Sequence, residues 1–137
     1  MTRTELINNR TKLQSQKSRK MTESTALAGK LDRLKKAKLQ FIGVIDDSEQ
    51  YKKKISSLDI DPSFWKGKTE KTYKSDHQNL MKTSINSYIV HLKNVEDSMD
   101  NEIQRLTNQL TQCQNDIIFL QSSIGNINYR ISTLKEG

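Results

Sequence analysis

The chain has 137 residues, enough for one domain, and 33% of them are hydrophobic while 28% are charged. This is too little apolar material for a compact globule, yet its regular placement argues against disorder, so the composition favours long helices that each bury one stripe. No apolar run approaches the ~18 residues of a membrane span, and the N-terminal MTRTELINNR lacks the core of a signal peptide. We therefore expect a soluble protein. A single cysteine excludes an internal disulfide framework.

The net charge of +7 is unevenly distributed. Residues 1–54 carry 14 Lys and Arg against 6 Asp and Glu, whereas residues 94–137 carry 3 against 6. A basic first half is compatible with nucleic-acid binding, or with a solvated helix whose acidic complement lies on a second helix. We favour the second interpretation and expect no nucleic-acid partner, because the basic residues have no interleaved aromatic side chains for base stacking.

A seven-residue repeat runs through the first half of the chain. From Leu6 its positions are Leu6, Leu13, Lys20, Leu27, Leu34, Phe41, Ser48 and Ile55; the companion series holds Arg10, Lys17, Leu31, Lys38, Ile45 and Lys52. This spacing predicts a helix over about 4–58, and residues 22–25 leave open a break or kink within it.

The next segment, about residues 59–68, reads as a bend. Asp61 followed by Pro62 is typical of a helix start, because the side chain caps the first amides and proline presets φ. Gly67 can take the left-handed conformation that ends such a turn. A bend of about ten residues predicts that the two helices lie antiparallel.

The second half carries a more regular stripe, which predicts a helix over about 69–135. The apolar positions advance in alternating steps of four and three residues, apart from one slip in phase at Val95, Met99 and Ile103. They are Met81, Ile85, Tyr88, Leu92, Val95, Met99, Ile103, Leu106, Leu110, Cys113, Ile117, Leu120, Ile124, Ile127, Ile131 and Leu134. The sequence therefore predicts an all-α fold: one domain over residues 1–137, an antiparallel two-helix hairpin with long, coiled-coil-like helices.

The sequence contains no complete motif for catalysis or ligand binding. Gly67-Lys68-Thr69 copies the end of a phosphate-binding loop, but Pro62 stands where that loop needs glycine, and no strand precedes it. Two histidines and one cysteine form no metal-binding cluster, and Cys113 lies on the core stripe, which favours a small buried hydrophobe over a nucleophile. We expect no enzyme activity, no cofactor and no metal.

The bend contains Phe64, Trp65 and Gly67, and its W-x-G resembles the motif between the two helices of the WXG superfamily, whose helical-hairpin proteins are handled by type VII secretion systems. The Ser-, Asn- and Ile-rich heptad tail at residues 120–127 looks like that of the YwqH-like group of LXG-associated α-helical proteins in Gram-positive bacteria. The indole at position 65 also has a plainer interpretation, as a plug that covers the open end of the helix pair.

This resemblance implies a partner protein that binds the helical N-terminal domain of an LXG-type toxin and promotes its export. It implies contact with a membrane secretion apparatus without membrane insertion. It places the protein in the cytoplasm of the producing bacterium, with co-secretion beside the toxin as the alternative. The family's export signal is an aromatic residue with an acidic residue four positions later, and this sequence lacks it. A bound partner is therefore expected to supply the missing part of the signal.

Apolar residues beside both stripes predict that the working form is not a monomer. Leu39, Ile42, Ile89, Ile118 and Phe119 widen the apolar face beyond a two-stranded seam, and a further helix pair would cover it, as in a four-helix bundle. We expect a hetero-complex, with a second small helical protein as a further member and a homodimer as the alternative. The expected partner contacts are Phe41, Ile45, Tyr88, Leu92, Leu106, Ile117 and Leu120. Two other function classes stay open, a generic coiled-coil adaptor or prefoldin-like holdase and, below it, a basic nucleic-acid-binding protein.

Overall fold

A computed structural model of the chain describes residues 2–57 and 68–134, with side chains from residue 75 onward in the second range. Nearly all of these residues belong to two helices, α1 (Arg3–Ser56) and α2 (Lys68–Thr133). The prediction of an all-α, two-helix hairpin is confirmed, and the helix ends lie within two residues of the predicted bounds. Of the predicted bend at 59–68, all but Lys68 lies outside the described residues, and the assignment of one domain over 1–137 stays a prediction.

The start of α1 is fixed by a capping box. The Glu5 backbone amide donates to Thr2 Oγ1 at 3.2 Å, and the Thr2 amide donates to Glu5 Oε2 at 3.1 Å. These reciprocal bonds satisfy amides that have no partner inside the helix. At the other end, Lys53 and Lys54 lie in the last turn, where positive charge is favourable beside the unpaired carbonyls.

The possible break at residues 22–25 does not occur, because α1 is continuous through them. Thr22 Oγ1 donates to the Ser18 carbonyl oxygen at 3.1 Å, and Thr25 Oγ1 donates to the Met21 carbonyl oxygen at 3.0 Å. The two hydroxyls are thereby satisfied within the helix, one turn back, and do not draw the backbone into a turn.

The contacts of the chain divide it into two compact units. In the unit that we call the terminal unit, the chain up to Leu34 packs against the chain from Glu102 onward; in the middle unit, the two helices pair between Lys35 and Asn101. Within each unit the helices are antiparallel, because the partner's number on α2 falls as the number on α1 rises. Arg10 pairs with Asn128 and Lys20 with Asp116 in the terminal unit.

The seam of the terminal unit combines apolar and charged residues. Its buried members are Leu6, Leu31, Leu106, Cys113 and Leu120, all predicted stripe positions. At Lys20, where the repeat places a lysine, Nζ lies 3.4 Å from Asp116 Oδ2.

In the middle unit the buried residues are Ile45, Ile55, Ile89 and Leu92. Lys38 forms an ion pair with Asp100, and Glu49 Oε1 lies 2.9 Å from Lys93 Nζ. Lys20 and Lys38 thus meet aspartates of α2, as the uneven charge distribution predicts.

One detail of the α2 stripe is wrong in the middle unit. The stripe predicts Tyr88 in the seam and Ile89 on the widened outer face, but Ile89 is buried and Tyr88 is exposed. The contact line passes through Ile89 instead of Tyr88 at this turn, which is a local rotation, while Leu92 stays buried at its predicted stripe position. An isoleucine side chain has no polar group to hydrate, whereas the tyrosine hydroxyl gains from remaining in water, so this rotation is the favourable one.

Candidate partner-binding groove

The exposed side of the middle unit contains an open groove between α1 and α2. Its volume is about 380 Å³. The lining residues are Tyr51 and Ile55 from α1, and Leu80, Met81, Ser84, Ile85 and Tyr88 from α2. None of them carries a formal charge, which is unusual in a chain where 28% of the residues are charged. We call this feature the middle-unit groove.

The groove follows from the rotation of the α2 stripe. Because Ile89 takes the place of Tyr88 in the seam, the row of Met81 and Tyr88 lies toward one side of the hairpin. Leu80 lies next to Met81 and is 64% exposed. The floor is formed by Ile55, which is buried, and Ile85, which is half-buried.

The α1 wall of the groove is anchored by its contacts with α2. Gln78 Nε2 donates to the Ile55 carbonyl oxygen at 3.1 Å, which ties the last turn of α1 to the α2 residues just before the groove. The Glu49–Lys93 ion pair joins the same helices. In this pair Lys93 donates a hydrogen bond to the Glu49 carboxylate. That hydrogen bond lowers the pKa of Glu49 and raises the pKa of Lys93. Both contacts hold the α1 wall of the groove against α2.

The terminal unit contains a second open groove, of about 420 Å³, with a different character. It is lined by Gln16, Arg19, Lys20, Glu23, Asp116, Phe119 and Leu120. Lys20 lies between two acids here, 3.4 Å from Glu23 and 3.4 Å from Asp116, and its hydrogen bond to Asp116, followed by that to Glu23, raises its pKa. Charges of both signs are therefore largely satisfied within the chain, which makes this groove less open to a new charged partner.

The seven residues predicted to contact a partner fall into three groups. Ile45, Leu92, Leu106 and Leu120 are buried in the contacts between α1 and α2. Phe41 and Ile117 are half-buried, and Tyr88 is exposed in the middle-unit groove. A partner role for the four buried residues would require the hairpin to open. Among the residues expected to widen the face, Leu39, Ile118 and Phe119 are exposed, Ile42 is half-buried and Ile89 is buried.

Sequence analysis missed Tyr51 and Leu80, although the sequence contained a signal for each. Tyr51 follows Val44 by seven residues, so the two share one side of α1, and both are exposed. Leu80 directly precedes a stripe position and widens the apolar face there. The predicted bend motif, Phe64, Trp65 and Gly67, lies outside the described residues, and its role stays a prediction.

Cys113 is buried, as the stripe predicts, and its thiol donates to the Lys20 carbonyl oxygen, with 3.1 Å between sulfur and oxygen. Burial raises the pKa of this thiol, so the reactive thiolate is disfavoured. Within residues 2–57 and 68–134 no three histidine, cysteine or acidic residues are grouped so as to hold a metal ion. In that same part of the chain, neither helix has a segment apolar enough to cross a membrane.

The geometry of the middle-unit groove suits the binding of an extended apolar surface, such as the apolar face of a helix. Comparison with known proteins bears on what that surface belongs to. The YwqH-like family model matches residues 8–129, the greater part of the chain. No curated protein and no solved structure matches it.

Proposed function

The chain belongs to the YwqH-like family, and on that premise we propose that it is a non-enzymatic partner protein for an LXG-type toxin. In this proposal it binds the helical N-terminal domain of the toxin and promotes export of the toxin through a type VII secretion system. The observation that carries the proposal is the middle-unit groove, an uncharged and open surface on a chain that is otherwise rich in charge.

A helix is the occupant that fits such a groove. The lining residues come from two antiparallel helices, and a third helix laid between them would turn the pair into a bundle. It would remove Leu80, Tyr51 and Tyr88 from water, and aromatic side chains in such a position commonly carry much of a binding energy.

Charge favours a partner that is acidic around its apolar face. Of the chain's surplus of positive charge, much lies on α1, where Lys53 and Lys54 are exposed in the last turn. Complementary charge would accelerate the encounter and disfavour basic partners, while the apolar contact would supply the affinity.

The test uses the full chain and an LXG-type toxin from the same bacterium, produced together and separately. Leu80→Glu and Tyr88→Glu should each raise the dissociation constant of the complex at least tenfold, because each places a carboxylate in an apolar contact. Export of the toxin should fall in parallel. Both side chains are exposed, so the helix content by circular dichroism should not change.

Val90→Glu is the matched control. Val90 lies on the same helix and is 57% exposed, but it does not line the groove. It should leave binding and export at the level of the unsubstituted chain. Equal loss in all three variants, or none in any, would remove the groove from the function. Protection of unrelated aggregating proteins, with no preference for the toxin domain, would favour a general holdase instead.

A further inference from the structure

Lys54 lies at the border of the middle-unit groove, in the last turn of α1. It follows Tyr51, which lines the groove, by three residues, so the two are separated by about 60° around the helix and about 4.5 Å along its axis. Residues with this spacing are neighbours on a helix surface. Around the helix, Tyr51 lies between Lys54 and the buried Ile55. The ammonium group therefore stands on the outer edge of the α1 wall.

The Tyr51 hydroxyl and the Lys54 ammonium group have no partner inside the described part of the chain. Among residues 2–57 and 75–134, neither group takes part in a hydrogen bond or an ion pair. A helix seated in the groove would cover Tyr51, which is 56% exposed, and would displace water from its hydroxyl. A hydroxyl that loses water without gaining an acceptor weakens binding, so a partner that fits well must supply an acceptor.

The lining of the groove supplies no carboxylate and no amide side chain to accept a hydrogen bond from Tyr51. Besides the two tyrosines, Ser84 of α2 is the only lining residue with a hydroxyl. Charge at the border comes from α1, where Lys54 follows Tyr51 and Asp47 precedes it by four residues. Asp47 is exposed and lies about 6 Å from Tyr51 along the axis, in the direction away from Lys54. The two ends of this border therefore differ in the sign of their charge.

We propose that the groove recognises a carboxylate at the edge of the toxin helix's apolar face, bound by the Lys54 ammonium group and the Tyr51 hydroxyl. This inference rests on the proposed function and names the chemistry that selects the helix. One carboxylate can accept hydrogen bonds from both groups at once, and the bond from the ammonium group is strengthened by charge. Asp47 repels a carboxylate placed nearer to it, so the preferred position is at the Lys54 end of the border.

Lys53 separates this specific contact from a general attraction of acidic partners to α1. It is as exposed to solvent as its neighbour Lys54, but it lies about 160° from Tyr51 around the helix. It lines a different open groove, together with Glu49. A general attraction would depend on Lys53 and Lys54 to the same degree, whereas a carboxylate bound beside Tyr51 depends on Lys54 alone.

Titration calorimetry of the full chain with the helical N-terminal domain of the toxin tests the contact. Lys54→Gln should raise the dissociation constant about fivefold, whereas Lys53→Gln, which removes the same charge, should change it by less than about twofold. Tyr51→Phe should also raise it about fivefold, because the acceptor on the partner loses its donor. Tyr129→Phe, at an exposed tyrosine outside the groove, should bind like the unsubstituted chain. Asp47→Asn should not raise the dissociation constant.

Three results would overturn the carboxylate contact and leave the proposed function standing, since the unsubstituted chain would still bind the toxin domain. Lys54→Gln could bind no more weakly than Lys53→Gln, which would reduce the effect to general charge attraction. Tyr51→Phe could bind as tightly as the unsubstituted chain, which would mean that the hydroxyl stays in water. Asp47→Asn could bind more weakly, which would mean that the partner presents a cation there. An unsubstituted chain that does not bind the domain would overturn both proposals.

Discussion

Charged residues at core positions are the most distinctive residue-level feature of this chain. Lys20 and Lys38 occupy heptad positions where a leucine would be expected. Each forms an ion pair with an aspartate of α2, Lys20 with Asp116 and Lys38 with Asp100. Exposed ion pairs contribute little to stability, because water screens them and the side chains lose freedom. Their value lies in alignment: a shift of either helix by one turn would leave Lys20 without Asp116, and Lys38 without Asp100.

Cys113 provides a prediction at this scale. Its thiol is buried, and burial raises its pKa, so at neutral pH the native chain should react with a thiol reagent far more slowly than the chain unfolded in urea. The measurement is the rate of modification with and without urea. Equal rates in both conditions would show that the seam around Cys113 is open.

At the scale of the elements, α1 and α2 contribute differently to their shared seam. The stripe of α2 is apolar throughout, whereas α1 inserts Arg10, Lys17 and Lys20 among its leucines. Many α2 stripe residues, among them Ile117 and Ile124, are therefore only half-buried. A two-helix seam of this kind leaves apolar area uncovered, which agrees with a chain that works bound to other helices.

Two substitutions on α2 should show, by their effect on the free energy of unfolding, which residues of the helix are in the seam and which are on the surface. Leu106 is 6% exposed, and Leu106→Ala should lower the free energy of unfolding by about 2–4 kcal/mol, since it removes buried methyl groups and leaves a cavity. Phe119 is 71% exposed, and Phe119→Ala should change it by less than about 0.5 kcal/mol. Urea titration of the two variants beside the unsubstituted chain is the measurement. A larger loss for Phe119→Ala would place the core on the wrong side of α2.

For the whole molecule, the family and the exposed surface of the middle unit bear on the proposed role. The middle-unit groove is proposed for the toxin domain. Family membership supports the general role, while the assignment of the middle-unit groove rests on its exposed side chains and its lack of charge.

The stability of the whole molecule should depend on pH through pairs such as Glu49–Lys93. The pKa of Glu49 is lowered, so its contribution is present above its ordinary value of 4.5 and is lost as the pH falls through the folded-state pKa. The pKa of Lys93 is raised, so its contribution is present below 10.5 and is lost as the pH rises through the folded-state pKa.

Glu49→Gln should therefore lower the melting temperature most near neutral pH. The difference from the unsubstituted chain should shrink toward both extremes of pH, and high salt should reduce it further. Thermal melts followed by circular dichroism across this range are the measurement. A difference that is constant with pH would mean that the pair contributes through packing and not through charge.

The sequence by itself determined the helices and their antiparallel pairing. A stripe that recurs every seven residues allows one local structure, and two such stripes separated by a short segment are predicted to pair antiparallel. The burial of Leu6, Leu31, Leu106 and Cys113 follows from the same repeat. The sequence also indicated a resemblance to the YwqH-like group, and the family match over residues 8–129 confirms it.

Only the tertiary structure decided which side of each stripe is covered. Periodicity defines an apolar face about a hundred degrees wide, but the rotation of a helix about its own axis is set by what it packs against. That rotation buries Ile89, exposes Tyr88 and opens the groove beside Leu80 and Tyr51. The ion pairs across the helices depend in the same way on how α1 and α2 are aligned, and no pattern within a single helix contains that alignment.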